Sequence, residues 1–229
     1  MKHLILIFLT KSALVCAGNV GIYFGSFDPP HRGHFGVAEA AIKALELDRI
    51  YMLPNVKPTG KILASSFHHR YEMVKLITLR NHRFKILPEK LMRKVYLQNP
   101  RGYIGPMIST LREIEGKNQR YYHLCGTDSF LKMKEYGRLP ALEENRIIAV
   151  MQREGYKLPQ DPRVDALVRA GKVVFLNPGL KSFSSTRLRK SFSHQTPPGS
   201  KKLFHEIGRY VRQRGLYNYK PTRGNWLGL

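Results

Sequence analysis

The feature that most constrains this chain is an alternation. Short apolar runs at residues 20–24, 49–53, 83–87, 121–124, 146–151 and 172–176 read as strands. Between and after them, residues 35–45, 66–79, 107–114, 128–134, 162–170 and 201–214 read as helices. Punctuation agrees with this reading: Pro54 ends the second run, Ser66 is placed to cap the helix carrying Tyr71, Val74 and Ile77, and Gly116 and Gly215 stop two others. Strands separated by helices pair in parallel, because each helix carries the chain back over the sheet. The expectation is an α/β fold, a Rossmann-like open and mostly parallel sheet with helices on both faces. A length of 229 residues suits one such domain with small additions, and 42% hydrophobic residues supply a core of the needed size. There is no internal repeat, and the polar, proline-rich stretch 193–199 reads as a loop.

The ends read differently. Residues 1–18 begin with a positive charge, run apolar from Leu4 to Leu9 and reach small residues at Ala17 and Gly18, which is the pattern of a secretory leader; Lys11 interrupts it. The stretch is too short to span a bilayer. A membrane-leaning helix or a start codon placed too early are the alternatives, so the expected location is cytoplasmic, or exported if the leader works. The central domain is expected over 19–217, with a C-terminal tail over 218–229 that is poorly ordered from Lys220 onward. Two cysteines, Cys16 and Cys125, make no disulfide framework, and Cys125 is expected as a small buried side chain. The formal charge of +23 favours anionic partners: nucleotides, phosphates, nucleic acid or an acidic membrane surface.

The segment GSFDPPHRGH, residues 25–34, lies between the first strand and the first helix. In an open parallel sheet the carboxyl ends of the strands face the ligand. Gly25 and Ser26 let backbone N–H groups approach an anion, Pro29 and Pro30 stiffen the turn, and Gly33 leaves room beside His31 and His34. The helix N-terminus that follows favours negative charge. Two histidines alone make a thin metal site, whereas strand, glycine turn, histidine donors and helix together point to phosphate.

These residues resemble the GGTFDPxHxGH signature of the nucleotidyltransferases, nearest to the bacterial nicotinate-nucleotide adenylyltransferase family. A second segment, FSSTRLR at 183–189, resembles that family's ISSTxIR. SFHHRYEMVKL at 66–76, STL at 109–111, GTDSF at 126–130, RIIAVMQREGY at 146–156 and YVRQRGLY at 210–217 resemble further family segments in the same order. The resemblance implies AMP transfer from ATP to a pyridine mononucleotide with release of pyrophosphate. It places His31, His34 and Arg189 on the ATP phosphates as the catalytic groups. It implies ATP binding by Gly25, Ser26, Phe27, Gly33, Asp128, Ser184, Ser185 and Thr186, with Asp128 near the adenosine or else simply capping its helix. Mg²⁺ is implied, held mainly by phosphate oxygens and water.

The sequence departs from the family in three places. The first Gly-Gly is Phe24-Gly25 here. The segment LPNVKPTGK offers Lys57 or Lys61 for the acceptor phosphate, with Arg70 as a helper. A ring-stacking tryptophan falls near Tyr136, where a tyrosine stacks with less surface. Two alternatives therefore stand beside the first reading: transfer to another phosphorylated acceptor, and a basic nucleic-acid-binding protein on the same fold. The second rests on the Lys and Arg excess of 181–223, interleaved with Phe192, Phe204, Tyr210 and Tyr217.

Overall fold

The computed structural model describes residues 18–58, 62–100, 104–135, 137, 139, 146–152, 160–177, 179, 183–196, 198–199 and 202–220. Residues 1–17 of the leader, Cys16 among them, together with Lys61, Tyr136, Lys181 and the last nine residues lie outside them.

Six strands form one sheet: β1 (Asn19–Gly25), β2 (Arg49–Pro54), β3 (Phe84–Lys85), β4 (Arg120–Gly126), β5 (Arg146–Met151) and β6 (Val173–Leu176). Their order is β3-β2-β1-β4-β5-β6, and every pair is parallel. The helices are α1 (Arg32–Ala44), α2 (Phe67–Thr78), α3 (Glu89–Gln98), α4 (Ile104–Glu115), α5 (Thr127–Glu135), α6 (Pro162–Arg169), α7 (Ser185–Ser193) and α8 (His205–Gln213), followed by a 3₁₀ turn at Leu216–Asn218.

Alternate strand residues feed opposite faces. Ile50, Met52, Tyr122, Leu124, Ala149 and Met151 pack against α1, α2, α7 and α8. On the other face Val20, Ile22 and Tyr51 meet α3 and α4, while Cys125, Ile148 and Val150 meet α5 and α6. Burial of these interior strands on both faces explains their nearly continuous apolar text.

Two expectations are corrected here. The run 83–87 narrows to the two residues of β3, an edge position closed by Pro88. The helix expected over 201–214 starts only at His205, because Leu203 and Phe204 are drawn into the core. Helix α3 went unread in the sequence. It carries Arg and Lys on its exposed face and buries only Met92 and Val95, so its apolar stripe is thin. Ser66 does cap α2, its hydroxyl accepting from the His69 N–H. Cys125 is buried, which pushes its thiol up to about 12.

Candidate active site

Strand order reverses direction between β1 and β4, so the loops leaving these two strands diverge and open a crevice at the carboxyl edge of the sheet. The loop after β1 is 26–31, and α5 follows β4 directly.

Gly25 is required by contact. A Cβ there would lie 2.8 Å from Cζ of Phe27, whose ring folds back over the strand end. Phe27 is buried and holds φ +49, a left-handed conformation uncommon for a bulky residue and maintained only where packing enforces it. Its ring meets Tyr23 edge-on at 5.5 Å and His34 at 4.9 Å.

His31 and His34 open α1 as a reciprocal cap. The His34 N–H donates to Nδ1 of His31 at 3.3 Å, and the His31 N–H donates to Nδ1 of His34 at 3.2 Å. The rings stack at 3.8 Å. Because both Nδ1 atoms accept, the ring proton of each neutral imidazole sits on Nε2. The cap thus fixes the tautomer of both histidines and makes Nε2–H their donor, at a helix N-terminus that already favours anions.

The two sequence segments expected to converge do so. Arg189 Nη1 donates to the Asp28 carbonyl at 2.7 Å, and Ser185 Oγ donates to the Pro29 carbonyl at 3.0 Å. Gly33 packs so tightly on Phe183 that a Cβ would sit 2.8 Å from the Phe183 Cβ. The hydroxyls of the SST segment divide their work. Ser184 caps α7 by accepting from the Arg187 N–H, Ser185 ties to the loop, and Thr186 Oγ1 accepts from Arg189 Nη2 at 3.2 Å.

Sequence reading missed the hub of this arrangement. Asp28 is buried, and its carboxylate accepts from Ser65 Oγ at 2.5 Å, Tyr217 OH at 2.9 Å and the Ala64 N–H at 2.8 Å. Tyr217 stands 189 positions away, so no local pattern could have paired the two; the only signal was that both fall in family-like segments. Burial, then the neighbouring carboxylate, raises the Tyr217 hydroxyl pKa well above its usual value, keeping it protonated and a donor.

Arg70 is 1% exposed, and its guanidinium donates to the Ser26 carbonyl at 2.9 Å and the Val56 carbonyl at 3.2 Å. It braces the loop after β1 against the loop after β2. Lys57, in that second loop, is exposed. Asp128 is exposed in the first turn of α5, at the crevice edge. Gly126, the last residue of β4, has nothing within 4 Å of where a Cβ would stand. Lys61 and Tyr136, expected at the acceptor, lie outside the described residues.

A family described as cytidylyltransferase-like matches residues 22–191. A relative from Neisseria gonorrhoeae, named probable nicotinate-nucleotide adenylyltransferase, is 30% identical over 209 residues, covering 86% of this chain and 98% of its own. One of the same name from Shewanella frigidimarina is 27% identical over 215 residues, covering 86% and 99%. Among solved structures, the Plasmodium falciparum nicotinic acid mononucleotide adenylyltransferase complexed with NaAD shares the fold at TM-score 0.61. It is 18% identical and covers 89% of this chain and 98% of its own. The same Plasmodium protein complexed with APC gives a TM-score of 0.62 at 16% identity, with the same coverage. With two distant motifs meeting at one loop, and relatives aligned over nearly their whole length, this chain belongs to the cytidylyltransferase-like family, among the nicotinate-nucleotide adenylyltransferases.

Proposed function

We propose that this protein transfers AMP from ATP to nicotinate mononucleotide, through a nucleotidyltransferase domain spanning 19–217. The 5′-phosphate oxygen of the mononucleotide attacks the α-phosphorus of ATP, the bond to the β-phosphate breaks, and pyrophosphate leaves. The observation that carries this reading is the contact of Arg189 with the Asp28 carbonyl, across 161 positions of sequence. It brings a planar cation to the loop that ends in His31, one turn before His34 in α1.

In this reading Nε2–H of His31 and His34 donates to phosphate oxygens, and Arg189 grips the β- and γ-phosphates. The N-termini of α1 and α7 add their dipoles to the same charge. The reading assigns Asp128 to the adenosine, Lys57 or Lys61 to the acceptor phosphate and Tyr136 to its ring. Arg70 serves as a brace between the two loops. No covalent intermediate is needed, since alignment and charge neutralisation suffice.

A divalent cation belongs to ATP chemistry of this kind, and Mg²⁺ is the ion of this reading. The Asp28 carboxylate is taken up by three protein donors, which fits an ion held by phosphate oxygens and water rather than by a protein cage. When bound, it offsets triphosphate charge. Among the described residues no helix is long and apolar enough to cross a membrane.

The test is pyrophosphate release from ATP and Mg²⁺ with nicotinate mononucleotide, nicotinamide mononucleotide, phosphopantetheine and a sugar phosphate in parallel. Turnover highest with nicotinate mononucleotide is expected. Turnover confined to a non-pyridine acceptor refutes the acceptor, and none with any acceptor refutes the reaction. His34→Ala and Arg189→Ala are each expected to lose about 100-fold or more in kcat, the loss typical of removing one transition-state donor.

A further inference from the structure

The chain carries 39 Lys and Arg against 16 Asp and Glu, and the excess is unevenly placed. Helices α1 to α6 each carry an acid among their bases: Glu39, Glu72, Glu89, Glu113, Asp128 and Asp165. Between residues 183 and 220 the only acid is Glu206, and it is held by Arg80 in an ion pair. The same span holds Arg187, Lys190, Arg209, Arg212 and Lys220, none of which forms an ion pair among the described residues.

Helix geometry sorts these cations to the outside. At 100° per residue, Arg187 and Lys190 lie opposite Leu188 and Phe192 on α7, and Arg209 and Arg212 lie opposite Ile207 and Val211 on α8. Both apolar faces enter one core layer, together with Tyr217 from the 3₁₀ turn that touches both helices. Their basic faces therefore look outward from the same side of the sheet. Only Arg189 turns inward, to the loop after β1.

Aromatic side chains do not join this surface. Phe192, Phe204, Tyr217 and Tyr219 are buried, and Tyr210 is half-buried, with its hydroxyl paired to His69 and the Arg214 guanidinium over its ring. The stacking that the interleaved sequence suggested is therefore withdrawn. Arg187, Lys190, Arg209 and Lys220 are exposed and Arg212 is half-buried, and among the described residues of 183–220 no Phe or Tyr ring is exposed beside them to read a base. Such a surface fits a regularly spaced phosphate backbone.

We infer that the outer faces of α7 and α8, with Lys220, dock the sugar–phosphate backbone of nucleic acid without regard to sequence. The inference is independent of the transfer reaction. Neutralising five phosphates releases the counterions bound there. The slope of log Kobs against log [KCl] is then about −4.5 for a duplex and about −3.5 for a single strand.

The test is fluorescence anisotropy of labelled 20-mers of two unrelated sequences, single-stranded and duplex, titrated with the full chain across KCl concentrations. Expected are slopes near those values and equal affinity for both sequences. Saturating ATP at constant ionic strength should leave binding unchanged. The pair Arg209→Gln and Arg212→Gln should reduce the steepness by about 2 while adenylyl transfer is unaffected; Lys90→Gln with Lys94→Gln on α3 should change neither. Any of four results overturns the inference: no binding at low salt, a marked preference for one sequence, displacement by ATP, or a salt slope that the α8 pair leaves unchanged. Retention on anionic phospholipid vesicles but not on oligonucleotides overturns it in favour of a membrane surface.

Discussion

Removing one hydroxyl from Tyr217 should loosen the phosphate loop from behind. Tyr217→Phe keeps the ring in its place against Phe192 and deletes the donor to the Asp28 carboxylate together with the 3.4 Å contact to Ser65 Oγ. A hydrogen bond to a charged group contributes about 1.5–3 kcal/mol. Asp28 keeps Ser65 and the Ala64 N–H, so the carboxylate is weakened in its setting but not stranded. For a chain of this size each kcal/mol moves Tm by about 2–4 °C, so a fall of about 3–12 °C is expected. The same residue whose side chain loosens presents its carbonyl to Arg189. A raised KM for ATP should therefore accompany the lower Tm. Thermal melts and initial rates of Tyr217→Phe, Ser65→Ala and the double variant form a cycle. Because both hydroxyls act on one carboxylate, the double effect should depart from the sum of the singles by at least about 0.5 kcal/mol. Additive effects, or a Tyr217→Phe variant within 1 °C of wild type with unchanged KM, refute the hub.

Gly25→Ala forces a methyl into the Phe27 ring, and Gly33→Ala forces one into Phe183; overpacking of this kind costs about 1–3 kcal/mol. Urea midpoints and ATP kinetics should both worsen, and an unchanged midpoint would refute the contacts. Gly126→Ala meets nothing within 4 Å, so it should hold its stability and lose activity only if substrate passes over the end of β4; equal activity argues against that path. His123, buried in β4, is pushed down to about 3 from an ordinary 6.5, by burial first and then by Arg146. The unfolded chain therefore binds the extra proton between those values. The contribution is full above pH 6.5 and falls by at most about 1.4 kcal/mol per pH unit as pH drops toward 3. His123→Leu should flatten the stability–pH curve in that window, and an equally steep curve would refute the burial argument.

Much of the fold was legible because period carries it. Strands buried on both faces show as apolar runs, and β5 was placed at its observed limits; helices with strong stripes were found within a few residues. Helix α3 went unread although it buries two apolar side chains, as many as α6, which was found; β3 was overread because an edge strand ends where pairing ends. The first motif marked the histidines, and the second marked Arg189. Their hydroxyl and carboxylate partners were hidden. Ser65 and Tyr217 are ordinary residues in sequence and become part of the site only by distance.

The sequence by itself determined the α/β class and the family, since these depend on local pattern and on motifs read within a few residues. Only the tertiary structure decided that Asp28 is the hub, that Arg70 is a brace, and that the aromatics of the last helices belong to the core. Each of those facts is a meeting of segments tens to hundreds of positions apart. Such meetings are set by how the sheet stacks its helices, and local sequence carries no record of them.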